Sequence, residues 1–308
     1  MTERSLLLPP DVAAVVGDEP AILEDLTLPW SQETRTVLVT PAAAGPEGRL
    51  VVQWSSDRDA IARRLRIGRR LAVVAPELPI PAIAGGDSRA PVPYVVTRFV
   101  AGTSGRSLLD DDAGARRLGT VAGAVARDLA AVPTAGLGLP RRWASPRTLG
   151  GAAERWLARS RTDLEPAVAL QLGQLLPRLD AELDDPPPVF AHGDLAPVNL
   201  IVDGATEGGT RGAGDGATLV GLLDLERARI AHPLFDAAWW TWILRYHHPD
   251  RAPVAVEAFL DAAGLPDDRA TRRRLDILAG LQCLEVLGAL PRRALDRRRE
   301  WSERVAAA

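Results

Sequence analysis

The sequence predicts an α/β protein, of the α+β kind, whose character changes near residue 100. Three observations carry this expectation. Short runs rich in β-branched residues at 36–40 and 50–54 flank a turn-forming stretch containing Gly45-Pro46 and Gly48, the signature of an antiparallel hairpin. Beyond residue 100 the apolar residues recur instead at helical spacing over most of the chain. At 308 residues the chain is long enough for two lobes around a shared cleft or for one large domain, with substantial cores in either case.

Taken in order, Pro9-Pro10 and then Asp11, as N-cap, open a short helix through Val16 that Gly17 is placed to end. The hairpin follows. A helix then runs from Asp57 to Val74, with Ile61, Leu65, Leu71 and Val74 on a stripe interrupted by Gly68. The proline-punctuated interval 76–93 has room for one short strand, and 94–100 is a second strand stopped by Ala101-Gly102. Asp110, Asp111 and Asp112 cap a helix through Ala131 whose Leu118, Val121, Val125 and Leu129 share a face; three acids suit a helix N-terminus better than a metal site. Helical spacing continues over 149–159 and 164–183, with Pro177 breaking the second stretch.

Near residue 189 the period switches. Val189-Phe190-Ala191 and Leu200-Ile201-Val202 are short strands, and 219–223 is an apolar run ending at Asp224. The glycine-rich interval 204–216 has no Lys-Ser/Thr sequel and opens no helix, so it is an enlarged hairpin turn and not a phosphate-binding P-loop. The remainder, 237–246, 254–263 and 271 to the end, is helical. Of Trp239, Trp240 and Trp242, two are assigned to the core; the arginine-rich tail 292–304 is assigned to a solvated face.

Charge limits the partners. The net charge is −3, with 15 Arg against 16 Asp and Glu before Pro140 and 22 against 24 after it, so neither half is a basic nucleic-acid surface. Nor is the chain acidic enough to suggest a polycationic substrate. All 37 basic residues are Arg, for which codon usage in a GC-rich genome is the neutral explanation. The single cysteine, Cys283, lies in an apolar segment and is expected in the core, with no disulfide framework. No stretch approaches the ~18 apolar residues of a membrane span and no signal sequence is evident, so a cytoplasmic protein with no membrane partner is expected.

The chemistry concentrates between Val189 and Asp236. His192, Asp194 and Asn199 stand in the pattern H-G-D-x-x-x-x-N, and Asp224 ends a strand. Phosphoryl transfer needs such a set: a carboxylate to orient and deprotonate the attacking hydroxyl, and oxygen ligands to hold Mg²⁺ on nucleotide phosphates. Any one of these residues alone is as easily a turn former; the ordered set is what carries the signal.

At these residues the chain resembles the aminoglycoside phosphotransferase-like kinases, a family that includes choline, homoserine and fructosamine kinases. The resemblance implies a two-lobed protein-kinase-like fold, with a small antiparallel-sheet N-lobe (1–100) for nucleotide and a mostly helical C-lobe (101–308) for catalysis and substrate. It implies Asp194 as catalytic base, Asn199 and Asp224 as Mg²⁺ ligands, Glu226 closing the D-x-E motif, and His192 with Asp236 supporting the loop. Asp236 belongs to Ala231-His232-Pro233-Leu234-Phe235-Asp236. It implies nucleotide contacts at Gln53, where a phosphate-gripping Lys is expected, and at Phe99 and Val100, where backbone groups would meet the base; an ordinary buried strand explains 99–100 equally well. It also implies that one of the three tryptophans lines a substrate cleft.

Two departures from the pattern accompany Gln53. The loop 28–34, which would cover the phosphates, has no glycine, and the following helix has no Glu to pair a Lys. A neutral Gln cannot supply the point charge of Lys; Arg35, Arg49 and Arg63 are the candidates for a substitute. The reaction expected is transfer of the γ-phosphoryl group of ATP or GTP to a hydroxyl of a small molecule. The leading acceptor is an antibiotic, and the near-neutral charge favours a macrolide or nucleoside over a polycation. The rivals are a metabolic kinase for an amino alcohol or sugar, and a kinase-like fold that binds nucleotide without catalysis.

Overall fold

The computed structural model describes residues 8–17, 21–27, 34–41, 48–203 and 217–308. Most of the hairpin turn at 44–48 and of the loop at 28–34, and the interval 204–216, lie outside them.

A 3₁₀ turn (Pro10–Val12) runs into α1 (Ala13–Val16), so Asp11 sits within the turn and caps no longer helix. Next come β1 (Ala21–Asp25), β2 (Thr34–Thr40), β3 (Leu50–Ser55), α2 (Arg58–Val74), β4 (Ile83–Asp87) and β5 (Tyr94–Arg98). Then follow β6 (Thr103–Ser104), α3 (Asp112–Ala130), α4 (Pro146–Ser160), α5 (Pro166–Leu175), α6 (Leu179–Glu182), β7 (Val189–Ala191), β8 (Leu200–Asp203) and β9 (Thr218–Leu222). The chain closes with β10 (Arg229–Ala231), α7 (Phe235–His247), α8 (Ala252–Ala263), α9 (Arg269–Ala289) and α10 (Leu295–Ala307). It divides into two compact units, one of Met1–Gly102 with Leu219–Glu226, the other of Thr103–Thr218 with Arg227–Ala308.

The first unit is a five-stranded antiparallel sheet in the order β1-β2-β3-β5-β4. Its strands alternate, and the alternation decides what each face does. Val37, Val39, Leu50, Val52, Tyr94 and Val96 bury one face against Val12 and Val16 of the N-terminal segment. The residues between them point the other way, where Val95 packs with Ile61 and Leu65 of α2. The pairs Thr36↔Gln53 and Gln53↔Val95 put Gln53 on this α2 face. Asp57 accepts the Ala60 N–H at 3.0 Å and caps α2, as its sequence position requires. Strand β1 carries no apolar alternation because every residue in it is exposed; backbone pairing with β2 alone defines it.

In the second unit α3 lies along α8 so closely that a Cβ on Gly119 would come within 2.2 Å of the Ala255 carbonyl oxygen. Asp111, the middle residue of the acidic run, caps α3 by accepting the Gly114 N–H at 2.6 Å. Helix α9 packs against α4, α7 and α10, around a core that fully buries Trp143, Trp240, Phe235 and Phe259. Pro177 does break its helix, leaving a 3₁₀ turn between α5 and α6. Strands β7 and β10 pair antiparallel, as do β6 and β8.

Two expectations are corrected here. All three tryptophans of α7 are buried, not two, because α8 and α9 both pack on this helix. The C-terminal tail is a solvated face at Arg292, Arg293, Arg297 and Arg299, but not at Arg298, which lies on α10 and is only 4% exposed. Its guanidinium makes a bidentate pair with Asp163 (3.0 and 2.6 Å) and donates to the carbonyls of Arg159, Leu287 and Leu290, so the donor fork is well occupied. Cys283 is buried in α9, and burial pushes its thiol up to about 12, as suits a core residue. Among the described residues, no helix is long and apolar enough to cross a membrane.

Candidate active site

The second unit builds a tight loop after β7. Gly193 has φ 88°, and a Cβ there would lie 2.0 Å from the Arg227 carbonyl oxygen, so the turn admits glycine alone. Asp236, in the first turn of α7, holds this loop from below. Its carboxylate accepts the N–H of His192 at 2.7 Å and of Gly193 at 3.0 Å. Burial pushes the Asp236 carboxyl up, against the opposing pull of His192 and those two N–H groups.

With the loop held, its side chains have defined directions. The Asp194 N–H donates to His192 Nδ1 at 3.2 Å. Asn199, in the 3₁₀ turn Pro197–Asn199, donates Nδ2 to the Asp194 carbonyl at 2.8 Å, which orients its side-chain amide. The Asp194 carboxylate receives the Trp239 indole N–H at Oδ1, 2.7 Å away. Asp194 is partly exposed where its neighbours His192, Gly193 and Leu195 are buried. It is an oriented carboxylate with access to solvent, suited to receive a proton.

What packs on that indole is aromatic or cationic. Trp242 stacks on Trp239 at 5.1 Å between centroids and Trp301 lies parallel at 6.5 Å. The Arg227 guanidinium sits over the Trp239 ring at 5.8 Å, and that of Arg304 over Trp301 at 4.4 Å.

The first unit contains the other acidic position. Strand β9 is tied down by the Leu222 N–H to the Pro79 carbonyl (2.8 Å), and two residues later Asp224 has φ 62°. A non-glycine residue in the left-handed region is uncommon and gathers at functional sites. Its carboxylate is held by the Arg64 guanidinium, which also bonds Gln53 Oε1 and reaches Glu226 Oε2 at 3.4 Å. Gln53 in turn donates Nε2 to Thr36 Oγ1 at 3.1 Å.

This arrangement redirects the search for a substitute cation. Arg35 is exposed on β2, Arg49 lies over the Phe99 ring at 4.2 Å, and Arg63 donates to the Glu226 carbonyl at 2.9 Å. The guanidinium at Gln53 belongs to Arg64, which the sequence reading passed over. A signal existed: at about 100° per residue, position 64 falls between Gly68 and Leu71 on the helix wheel, inside the apolar stripe of α2. The Phe99 N–H donates to the Arg49 carbonyl at 3.1 Å, so that N–H is not one that would meet a base edge; Val100 is half-buried beyond the end of β5.

Among the described residues no group of three or more His, Cys, Asp or Glu side chains could hold a metal ion. Asn199 and Asp224 instead offer hard oxygen donors one at a time. That suits Mg²⁺, which is bound through one or two protein oxygens while keeping water and phosphate ligands.

The sequence matches the profile of the phosphotransferase enzyme family over residues 26–278. A search of the curated proteins found no match. Solved structures with the same fold include APH(2″)-IIia in complex with GDP and kanamycin, at 18% identity, TM-score 0.69 and 96% of each chain covered. A macrolide 2′-phosphotransferase from Brachybacterium faecium aligns at 22% identity and TM-score 0.62, again over 96% of each chain. A choline kinase from Cryptosporidium parvum aligns at 11% identity and TM-score 0.54, over 94% of this chain and 86% of that one. These likenesses establish the protein-kinase-like fold, with its antiparallel N-terminal sheet and helical C-terminal part.

Proposed function

This chain belongs to the phosphotransferase enzyme family, and from that premise we propose that it transfers the γ-phosphoryl group of ATP or GTP to a hydroxyl of a weakly charged antibiotic. The observation that carries the reading is the Asp194 carboxylate, aimed by the Trp239 indole and set in a loop that Asp236 clamps through two N–H groups.

In this reading Asp194 orients the acceptor hydroxyl and takes its proton as the oxygen attacks phosphorus. Trp239 fixes one carboxylate oxygen, so the acceptor meets the other. His192 and Asp236 keep the loop in register, while Asn199 and Asp224 would hold Mg²⁺. When bound, that ion neutralises charge on the phosphate oxygens and orients them. The nucleotide belongs with the N-terminal part, 1–100, and the acceptor with 101–308.

The acceptor class follows from charge. The Arg227 guanidinium over the Trp239 ring that holds Asp194 disfavours a polycation and suits a neutral molecule. The near-balanced net charge of −3 points the same way. A macrolide or a nucleoside fits; an aminoglycoside carrying several ammonium groups fits poorly. The test is a panel of macrolides, nucleosides, aminoglycosides and small alcohols incubated with ATP or GTP and Mg²⁺, followed by mass spectrometry for the gain of one phosphoryl group. Phosphorylation of a macrolide or nucleoside is expected. Turnover confined to aminoglycosides, or to choline-like alcohols, would refute the acceptor class.

A further inference from the structure

Arg64 occupies a position that packing alone does not explain. It lies in the apolar stripe of α2, its side chain is 13% exposed, and it touches two carboxylates and an amide of its own unit: Asp224, Glu226 and Gln53. A half-hidden guanidinium needs one carboxylate for neutrality; here Asp224 and Glu226 are both supplied, and the neighbouring Arg63 donates to the Glu226 carbonyl as well. One of those carboxylates is Asp224, held in a left-handed backbone conformation.

We infer that Arg64 is the exchangeable cation of the nucleotide site, neutralising Asp224 before nucleotide binds and turning onto phosphate once Mg²⁺ takes that carboxylate. This rests on the phosphotransfer reading above. Mg²⁺ on the Asp224 carboxylate would take up its negative charge and repel the guanidinium, which favours release of Arg64. Displacement does not strand Arg64: Gln53 Oε1 and Glu226 Oε2 remain on it, and its planar fork matches phosphate oxygens.

Gln53 is thereby explained as well. A Lys there would set a second positive charge against the guanidinium, whereas Gln accepts from Arg64 through Oε1 and donates to Thr36 through Nε2. Gln53 and Arg64 form a matched pair in which the charge sits on the helix and the neutral acceptor on the strand. Moving the charge back to the strand therefore requires changing both residues.

The experiment is calorimetry of ADP and GDP binding to the full chain, with and without Mg²⁺, for the wild type, Arg64→Gln, Gln53→Lys and the double variant, each checked for folding by circular dichroism. With Mg²⁺, Arg64→Gln is expected to bind at least about tenfold more weakly, the scale of one charge-assisted hydrogen bond. Gln53→Lys alone is expected to give no gain, and the double variant to recover most of the loss. Arg64→Gln binding within about twofold of wild type overturns the inference, as does a double variant no better than Arg64→Gln or a tightening by Gln53→Lys alone. Should Arg64→Gln not fold, the double variant decides by comparison with wild type: near-wild-type binding with Mg²⁺ supports the inference and its loss overturns it. If the wild type binds neither nucleotide even with Mg²⁺, the phosphotransfer reading itself fails; wild-type binding with an unaffected Arg64→Gln sinks only the role of Arg64.

Discussion

Replacing Asp236 by Asn tests whether the loop before Asp194 depends on a charged brace. In the wild type both carboxylate oxygens are used, one by the His192 N–H at 2.7 Å and one by the Gly193 N–H at 3.0 Å, and all three residues are buried. An Asn side chain offers one acceptor and one donor, so one backbone N–H keeps its partner and the other faces an NH₂ group. The lost charge-assisted bond is worth about 1.5–3 kcal/mol, and the stranded buried donor costs about 1–3 kcal/mol more. Opposing this is relief from burying a charge, the same burial that pushes the Asp236 carboxyl up. The net loss expected is roughly 2–4 kcal/mol, or a fall in Tm of roughly 3–6 °C for a chain of this length. Thermal unfolding followed by circular dichroism measures it, and turnover should fall because the Asp194 loop loses its register. A melting temperature within about 1 °C of wild type, with turnover intact, would refute the brace.

Two further perturbations probe different parts of the molecule. Arg298→Met removes a buried cation whose fork binds Asp163 and three carbonyls, and should cost about 3–5 kcal/mol. Because Arg298 holds the Asp163 carboxyl below its ordinary range, that part of the stability is complete above the unfolded carboxylate value of about 3.9 and is lost as pH falls through the lower folded value. Melting curves taken from neutral to acid pH should show this acid limb in wild type and not in Arg298→Met. Trp239→Phe keeps a stacked ring and deletes the indole donor to Asp194. It should lower kcat about tenfold, the scale of one hydrogen bond to a charged group, and leave nucleotide binding by calorimetry unchanged; an unaltered kcat would remove Trp239 from the positioning of Asp194.

Where local pattern and tertiary demand coincide, the sequence was legible. The stripe Ile61, Leu65, Leu71 placed α2, the turn residues placed the β2–β3 hairpin, and Pro177 marked a helix break because it lacks a donor. The spacing from His192 to Asn199 placed those side chains on one loop because a strand runs in and another runs out within ten residues. The rest needed information that no local pattern holds. Strand β1 is exposed throughout and exists through its pairing with β2, so no alternation announced it. Arg298 looks like any other arginine of a polar tail until Asp163, 135 positions earlier, is brought to it. Sequence alone does not separate Arg64 from its neighbour Arg63, because only the fold shows which of the two on α2 reaches Gln53. The place of Arg64 in the stripe of α2 acquires meaning only when Asp224, 160 positions away, faces the same helix.

The most direct measurement of the central claim is a comparison of wild type with Asp194→Asn, reading turnover and nucleotide affinity on the same preparations. Asn at this position can still accept the Trp239 indole N–H, so the loop should survive, and Asn199 and Asp224 are untouched. The account predicts that nucleoside diphosphate release in the presence of an acceptor is abolished, while calorimetric affinity for ATP or GTP with Mg²⁺ stays close to that of wild type. Near-normal turnover in Asp194→Asn would contradict it, because the carboxylate on which the whole reading turns would then have no part in the reaction.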